Sequence, residues 1–360
     1  MLKNNQYIYN NNRGIALVLA VGFTMLVIAV LLQLNINARF AIQATAVTRE
    51  RHTITYNSYT GIRIAEALLI MDKLYDTKEY DTMHDMWARK ECIDDLLRRL
   101  PKGVGKPKTL KITDEIGKIQ INALVEHSQP QNKVNDAQRE KIWARMISDF
   151  VDNQNLNNST IFPNLLSSSD VIDAIIDWID QDDDTKEAEN DYYEGEGLRP
   201  CPNDYFTDIN ELLYVKHFNS KIFNGLNIPR YVTVYGELKN EKNIYFNGLI
   251  NINTADINVL RLLISDGCEH LISEIDEFRK ERNDDGGAMH DLSKVTTYYN
   301  EFSGSCFVKD LITVKSEFFR VESTAQINKT TKTITAILKR EKDSKTNKWR
   351  CKIISIKDTS

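Results

Sequence analysis

The sequence predicts an α+β protein: a long N-terminal helix that starts in a membrane and ends on a small antiparallel sheet, with a large all-α domain inserted into that sheet. Three observations carry this reading. Residues 15–34 form an uninterrupted apolar run whose helical periodicity continues well beyond it. The last fifty residues alternate apolar and polar side chains with the period of strands. Between an early strand-like stretch and these late strands, most of the chain is patterned as helices. At 360 residues the chain exceeds one ordinary core. Its 27% charged and 42% hydrophobic residues are those of a folded protein. A net charge of −5 and a mean hydropathy of −0.41 argue against a generally basic nucleic-acid-coating protein and a polytopic membrane protein.

The N-terminus sets the compartment. Residues 1–14 carry Lys3 and Arg13 and no acid; Ile15 to Leu34 carry no charge. Twenty residues at about 1.5 Å each span the roughly 30 Å of a bilayer's hydrocarbon core. The flanking bases favour a cytoplasmic N-terminus, which places the bulk of the chain outside the cytosol. The run exceeds the roughly 7–15 residues of a secretory h-region, and no small-x-small cleavage site closes it, so a retained anchor is expected. Apolar residues then recur at Ile36, Phe40, Val47, Ile54, Ala65 and Leu69 with no proline before Pro101, which predicts one helix from Ile15 to about Leu74. Gly22 and Gly61 each weaken it by about 1 kcal/mol.

A short basic leader ending Asn12-Arg13-Gly14, followed by Ile15-Ala16-Leu17, resembles the type IV pilin-like proteins, and specifically the minor pseudopilin K family of type II secretion systems. Similar stretches follow in order: Arg63–Ala67, Ile112–Asp114, Gln120–Ala123, Asp173–Asp180, Pro229–Thr233 and Ile252–Ala255. The resemblance implies removal of residues 1–14 by a prepilin peptidase, which cuts between Gly14 and Ile15 and methylates the new terminus. Most pilin-like chains carry a glutamate at the fifth mature position. Here it is Leu19, as the K type lacks that glutamate, and an unpaired carboxylate in lipid would be costly. The implied organisation is a leader (1–14), a transmembrane part of the helix (15–34), its continuation with the first strands (35–122), an inserted helical domain (123–310) and C-terminal strands (311–360). The implied function is capping the tip of the secretion pseudopilus from the bacterial inner membrane. The implied partners are the I- and J-type minor pseudopilins, with the globular part in the periplasm.

Within the globular part, Leu110–Asp114 and Lys118–Asn122 read as a hairpin around Glu115–Gly117. Helices are expected at Asp136–Val151, Ser169–Asp180, Thr207–Val215, Ala255–Ile264 and Cys268–Lys280, with Ser169, Thr207 and Thr254 as N-cap residues. Late strands run through Phe319–Ile327, Ile334–Leu338 and Trp349–Ile356. Trp143 and Trp178 fall at core positions of their helices.

The densest chemical signal is acidic. Twelve carboxylates and a single base lie between Asp170 and Glu196. Asp180, Asp182 and Asp184 alternate as at the start of an EF-hand, but Thr185 replaces its glycine and Asp191 its final glutamate. A calcium site of another kind remains, since hard Ca²⁺ takes six to eight oxygens; a solvated acidic loop is the alternative. The resemblance implies calcium at Asp180, Asp182, Glu189 and Asp191, with Asp177, Asp184 and Asn190 beside them.

Asn251–Ala255 with Val259-Leu260 resembles the opening of a helix-hairpin-helix DNA module. The following turn lacks the Gly-hydrophobic-Gly hairpin, and Asp266, Glu269 and Glu274 would repel phosphates, so no nucleic acid is expected. Of five cysteines, none forms C-x-x-C; Cys268 and Cys306 flank the later helical region and make the favoured disulfide, with unpaired thiols as the alternative. Histidine pairs, a G-x-S-x-G elbow and a phosphate loop are all missing, so the expectation is a non-enzyme. Two rivals remain: a pilus-like tip protein binding DNA or a surface, and an anchored periplasmic hydrolase.

Overall fold

The computed structural model describes residues 12–75, 79–101, 104–125, 136–156, 168–181, 187–239 and 244–358. A single helix, Asn12–Tyr75, runs through the apolar segment and on to the globular part. It is long and apolar enough to cross a membrane, with a mean hydropathy of 3.0 over its most apolar stretch. Residues 14–49 are exposed throughout, so Ile36, Phe40 and Val47 lie on the uncovered half of the helix. From Ile54 onward one stripe is buried: Ile54, Ser58, Ile62, Ala65, Leu68, Leu69 and Asp72 follow the helical repeat.

That stripe packs on an antiparallel four-stranded sheet ordered Thr109–Asp114, Phe318–Ile327, Thr330–Lys342 and Trp349–Asp358. Phe319, Val321, Ile334, Ala336 and Leu338 face the helix, with Trp87 edge-on to Phe319 at 5.0 Å. The late strands and both turns between them fall where alternation placed them. Gly61 has a structural reason to lack a side chain: a Cβ there would lie 2.9 Å from the Ser323 Cβ and 3.0 Å from the Pro107 Cγ. The helix approaches the sheet at a residue that otherwise weakens it.

The expected hairpin through residues 110–122 does not form. Thr109–Asp114 pairs instead with Phe318–Ile327, from Thr109 opposite Thr324 to Asp114 opposite Phe319. Ile119–Gln120 turns away into a parallel bridge with Val232–Thr233. The turn Glu115–Lys118 therefore marks where the chain leaves the sheet, and Phe318 is where it returns.

Among the described residues, the intervening part is built of helices joined by loops, with three short strand pairs. Its main helices are Asp136–Leu156, Ser168–Ile179, Leu271–Lys280 and Val295–Phe302, the last not anticipated. They surround one large core that includes Trp143, Trp178, Ile121 and Ile312. Two expected caps move. Asp208 makes the capping box with Glu211, and Asp256 accepts from the Asn258 N–H, so the cap at each start is an aspartate next to or near the threonine named from sequence. The inserted part also covers the sheet's second face, where Ile116, Phe318 and Ile337 meet Tyr235.

Candidate functional site

Gly14 and Ile15, the expected processing point, lie near the start of the exposed helix, Ile15 at 63% exposure. The rest of the expected leader, up to Asn11, is outside the described residues.

The acidic loop is anchored by the helix Ser168–Ile179. Its apolar face (Val171, Ile172, Ile175, Ile179) enters the core and carries Asp177 in with it, fully buried. The Asp177 Oδ2 accepts the backbone N–H of Glu187 at 2.6 Å and of Ala188 at 2.8 Å, which folds the loop back onto the helix that launches it. Asp180 and Glu189 are buried beside it, and the Asn190 Oδ1 is buried with no hydrogen-bond partner among the described residues. Asp191 is exposed. Asp182 and Asp184 lie outside the described residues. Cys201 reports the local field: its Sγ sits 3.3 Å from the Asp177 carbonyl, and burial, aided by the charges of Glu189, Asp180 and Asp177, pushes the thiol up to about 12. The loop's far side is latched by Glu187, which holds Lys216 at 2.7 Å and His217 at 2.8 Å; hydrogen bonding to Lys216 keeps its carboxyl below the usual range. Buried carboxylates with an amide oxygen are a hard-oxygen donor set suited to calcium.

A second constellation joins the long helix, the sheet and the inserted domain. Arg340, 1% exposed, donates from Nη2 to the Asp81 carboxylate and to the Ser316 carbonyl at 3.1 Å, and from Nη1 to Asp72 at 3.4 Å. Its guanidinium lies 4.6 Å over the Phe319 ring. Lys73 reaches the Asp81 carboxylate at 3.1 Å and the Tyr80 carbonyl at 2.8 Å. Asp85 accepts from the Thr82 N–H and hydroxyl. Carboxylate oxygens of Asp72, Asp81 and Asp85 all lie within 4.8 Å of one another. Three acids therefore share two cations. Burial, then the Asp85 charge, pushes Asp72 up to about 7; burial pushes Asp85 up to about 6.

The inserted domain enters this hub through Asn251 and Asn253, both fully buried. The Asn251 Nδ2 donates to the Asp81 carbonyl (3.2 Å), Asp114 Oδ2 (3.2 Å) and Ser316 Oγ (2.8 Å). The Asn253 Nδ2 donates to the Asp81 and Leu292 carbonyls, both at 3.1 Å, and its Oδ1 accepts from the Tyr298 hydroxyl at 2.6 Å. Thr254, expected as a cap, donates instead to Asp114, whose carboxyl burial pushes up to about 6. The stretch similar to a DNA-binding module is thus a buried joint, its asparagines turned into the protein. The sequence singled out Asn251–Ala255 and Ile112–Asp114 separately; Asp72, Asp81, Asp85 and Arg340 carried no local signal.

Cys268 and Cys306 are joined by a disulfide, with Cα atoms 5.7 Å apart; Cys92, Cys201 and Cys351 are free thiols.

Comparison with known proteins places these features. Residues 117–237 match the family model for type II secretion system (T2SS) protein K, first domain. A chain of the crystal structure of the GspK-GspI-GspJ complex from the enterotoxigenic Escherichia coli type 2 secretion system has a similar fold, at a TM-score of 0.54 and 15% identity, over 88% of this chain and 99% of that one. Curated proteins give no match. Residues 117–237 are thus similar to protein K of the type II secretion system, in a chain whose fold is similar to that of a chain in the GspK-GspI-GspJ complex.

Proposed function

We propose that the protein is a minor pseudopilin that caps the tip of a type II secretion pseudopilus, assembling there with I- and J-type minor pseudopilins. The protein K match over 117–237 carries this reading. Geometry agrees with it. The sheet covers the helix only from Ile54 onward, leaving residues 14–49 exposed, as a helix requires if it is to sit first in lipid and then among neighbouring helices. The inserted part adds some two hundred residues to one end of that rod, bulk that a subunit stacked above would meet. Leu19 fits the same end, where no preceding subunit offers an amine to a carboxylate.

The mature chain then begins at Ile15 after prepilin-peptidase cleavage at Gly14, with the globular part in the periplasm and the residues 15–34 in the inner membrane before assembly. Asp180, Glu189 and Asn190, with the expected Asp182 and Asp191, would hold calcium on the loop that Asp177 fastens. The ion would supply positive charge where carboxylates gather, in a structural role. The role of the whole chain is assembly rather than catalysis.

Intact-mass and N-terminal analysis of the protein from its native membrane tests the processing, with a methylated Ile15 expected. Co-purification with the I- and J-type subunits from the same membranes tests the tip. A chain that still begins at Met1 and purifies alone refutes the proposal.

A further inference from the structure

A cleft of about 780 Å³ opens between the edge of the sheet and the inserted domain. The edge strand Thr109–Asp114 and its neighbour supply Lys111, Thr113, Arg320 and Glu322, paired across the strands as Thr113 with Arg320 and Lys111 with Glu322. The inserted domain supplies Arg230, Asp256, Arg279 and Lys280. The charges are layered. Glu115, fully buried beneath the floor, holds both Lys118 and Arg320 at 2.7 Å. Asp276, 11% exposed, holds both Arg279 and Lys280. Each of these two carboxylates serves two cations and lies behind them, while the Lys280 and Arg230 side chains are more than half exposed. Asp256 holds Arg230 at 2.7 Å from within the cleft, and the lining as a whole sets six bases (Lys111, Lys118, Arg230, Arg279, Lys280 and Arg320) against three acids (Asp114, Asp256 and Glu322), a cationic excess.

This reverses the character of its surroundings. Residues 123–310 hold 34 acids and 17 bases, yet the same region faces the cleft with three bases and one acid. The cleft lies in the size range that encloses a ligand of several residues, larger than a lone small anion needs. Met83 and Ile257 add apolar surface to its lining.

We propose that this cleft binds an extended acidic segment of a partner polypeptide, with its carboxylates on Lys111, Arg230, Lys280 and Arg320. The inference goes beyond the tip reading and does not depend on it, because it concerns the single chain. Attraction across such a surface is long-range and screened by salt.

The test is fluorescence anisotropy with the full chain in detergent and a labelled ten-residue alternating Glu-Ala peptide. An alternating Lys-Ala peptide serves as control and inorganic phosphate as competitor. Binding of the Glu-Ala peptide alone, weakened at least tenfold by Arg230→Glu with Lys280→Glu, is the expected result. Lys111→Glu on the sheet side, a lone exposed substitution, is expected to weaken binding at least threefold and stands in should the double variant not fold. Lys345→Glu with Lys348→Glu, on the exposed turn of the last hairpin, is expected to leave binding unchanged. Equal binding by the cleft variants, an equal loss in the hairpin variant, or full displacement by millimolar phosphate each overturns the proposal, the last by showing a small-anion site.

Discussion

The three carboxylates and two cations at the hub make a quantitative prediction. Asp72 is held at about 7 in the folded chain against an ordinary 3.8. A carboxyl raised in this way favours the folded state's proton, so its contribution is neutral below pH 4. It becomes destabilising as pH climbs from 4 to 7, and the full penalty is present above 7. A shift of about three units is worth on the order of 4 kcal/mol. Asp72→Asn keeps the shape, removes the third negative charge, and leaves Asp81 and Asp85 matched to Lys73 and Arg340. The only hydrogen bond from Arg340 to Asp72 is the long one, at 3.4 Å, so little direct attraction is lost. The variant is therefore expected to be more stable than the parent at pH 8, to keep roughly a third of that advantage at pH 5 and to lose it below about pH 4. Thermal unfolding of both full chains in detergent, followed by tryptophan fluorescence across that range, measures the difference. Trp87, buried against Phe319 beside the hub, gives a local probe. A gap between variant and parent that stays constant with pH refutes the shared-proton account, and a variant less stable at pH 8 refutes the charge count.

Further outcomes follow from other contacts. Cys306→Ser opens the 38-residue loop closed onto Cys268 and is expected to cost about 4 kcal/mol in denaturant titrations; reductant should bring the parent to the same midpoint. Gly61→Leu drives a side chain into Ser323 and Pro107 and should lower stability by about 3 kcal/mol despite a better helix propensity, measured by the same titration. Adding calcium at one hundred times its dissociation constant should stabilise the chain by about 2.7 kcal/mol, an effect that chelator reverses and Glu189→Gln with Asp180→Asn abolishes. An unchanged melting temperature under chelator removes calcium from the account. Asn253→Ala strands the Leu292 carbonyl and the Tyr298 hydroxyl in a buried place, leaves the Asp81 carbonyl with the Asn251 donor, and should cost about 3 kcal/mol, visible as faster amide exchange on both sides of the joint.

How much of this was legible depended on the range over which each interaction acts. The long helix and the last three strands were readable because their signals are local: a period near 3.6 from Ile54 to Leu69, and alternation from Phe319 to Leu338. The strand Thr109–Asp114 was readable as a strand, but its partner was not. Adjacent alternating segments suggest a hairpin by default, whereas the true neighbour begins at Phe318, two hundred residues away. The acidic loop was visible as a charge run, while the device that folds it, one Asp177 oxygen taking two backbone N–H groups, was not.

The hub is the extreme case, and it shows why an insertion of this size can be tolerated. Asp81 and Arg340 are separated by 259 residues, and neither stands in a motif. Yet Asp81 alone binds the long helix through Lys73, the returning chain through the Ser316 N–H, the final strands through Arg340 and, by its carbonyl, both asparagines of the inserted domain. A buried charge with so many partners is costly to rearrange, because removing any one strands the others in a low-dielectric place. The inserted domain is therefore fixed to the rod at a polar hub and along the sheet's second face, instead of hanging from two flexible crossings. On the proposed tip reading, such a rigid joint would let a push along the rod reach whatever the bulk touches.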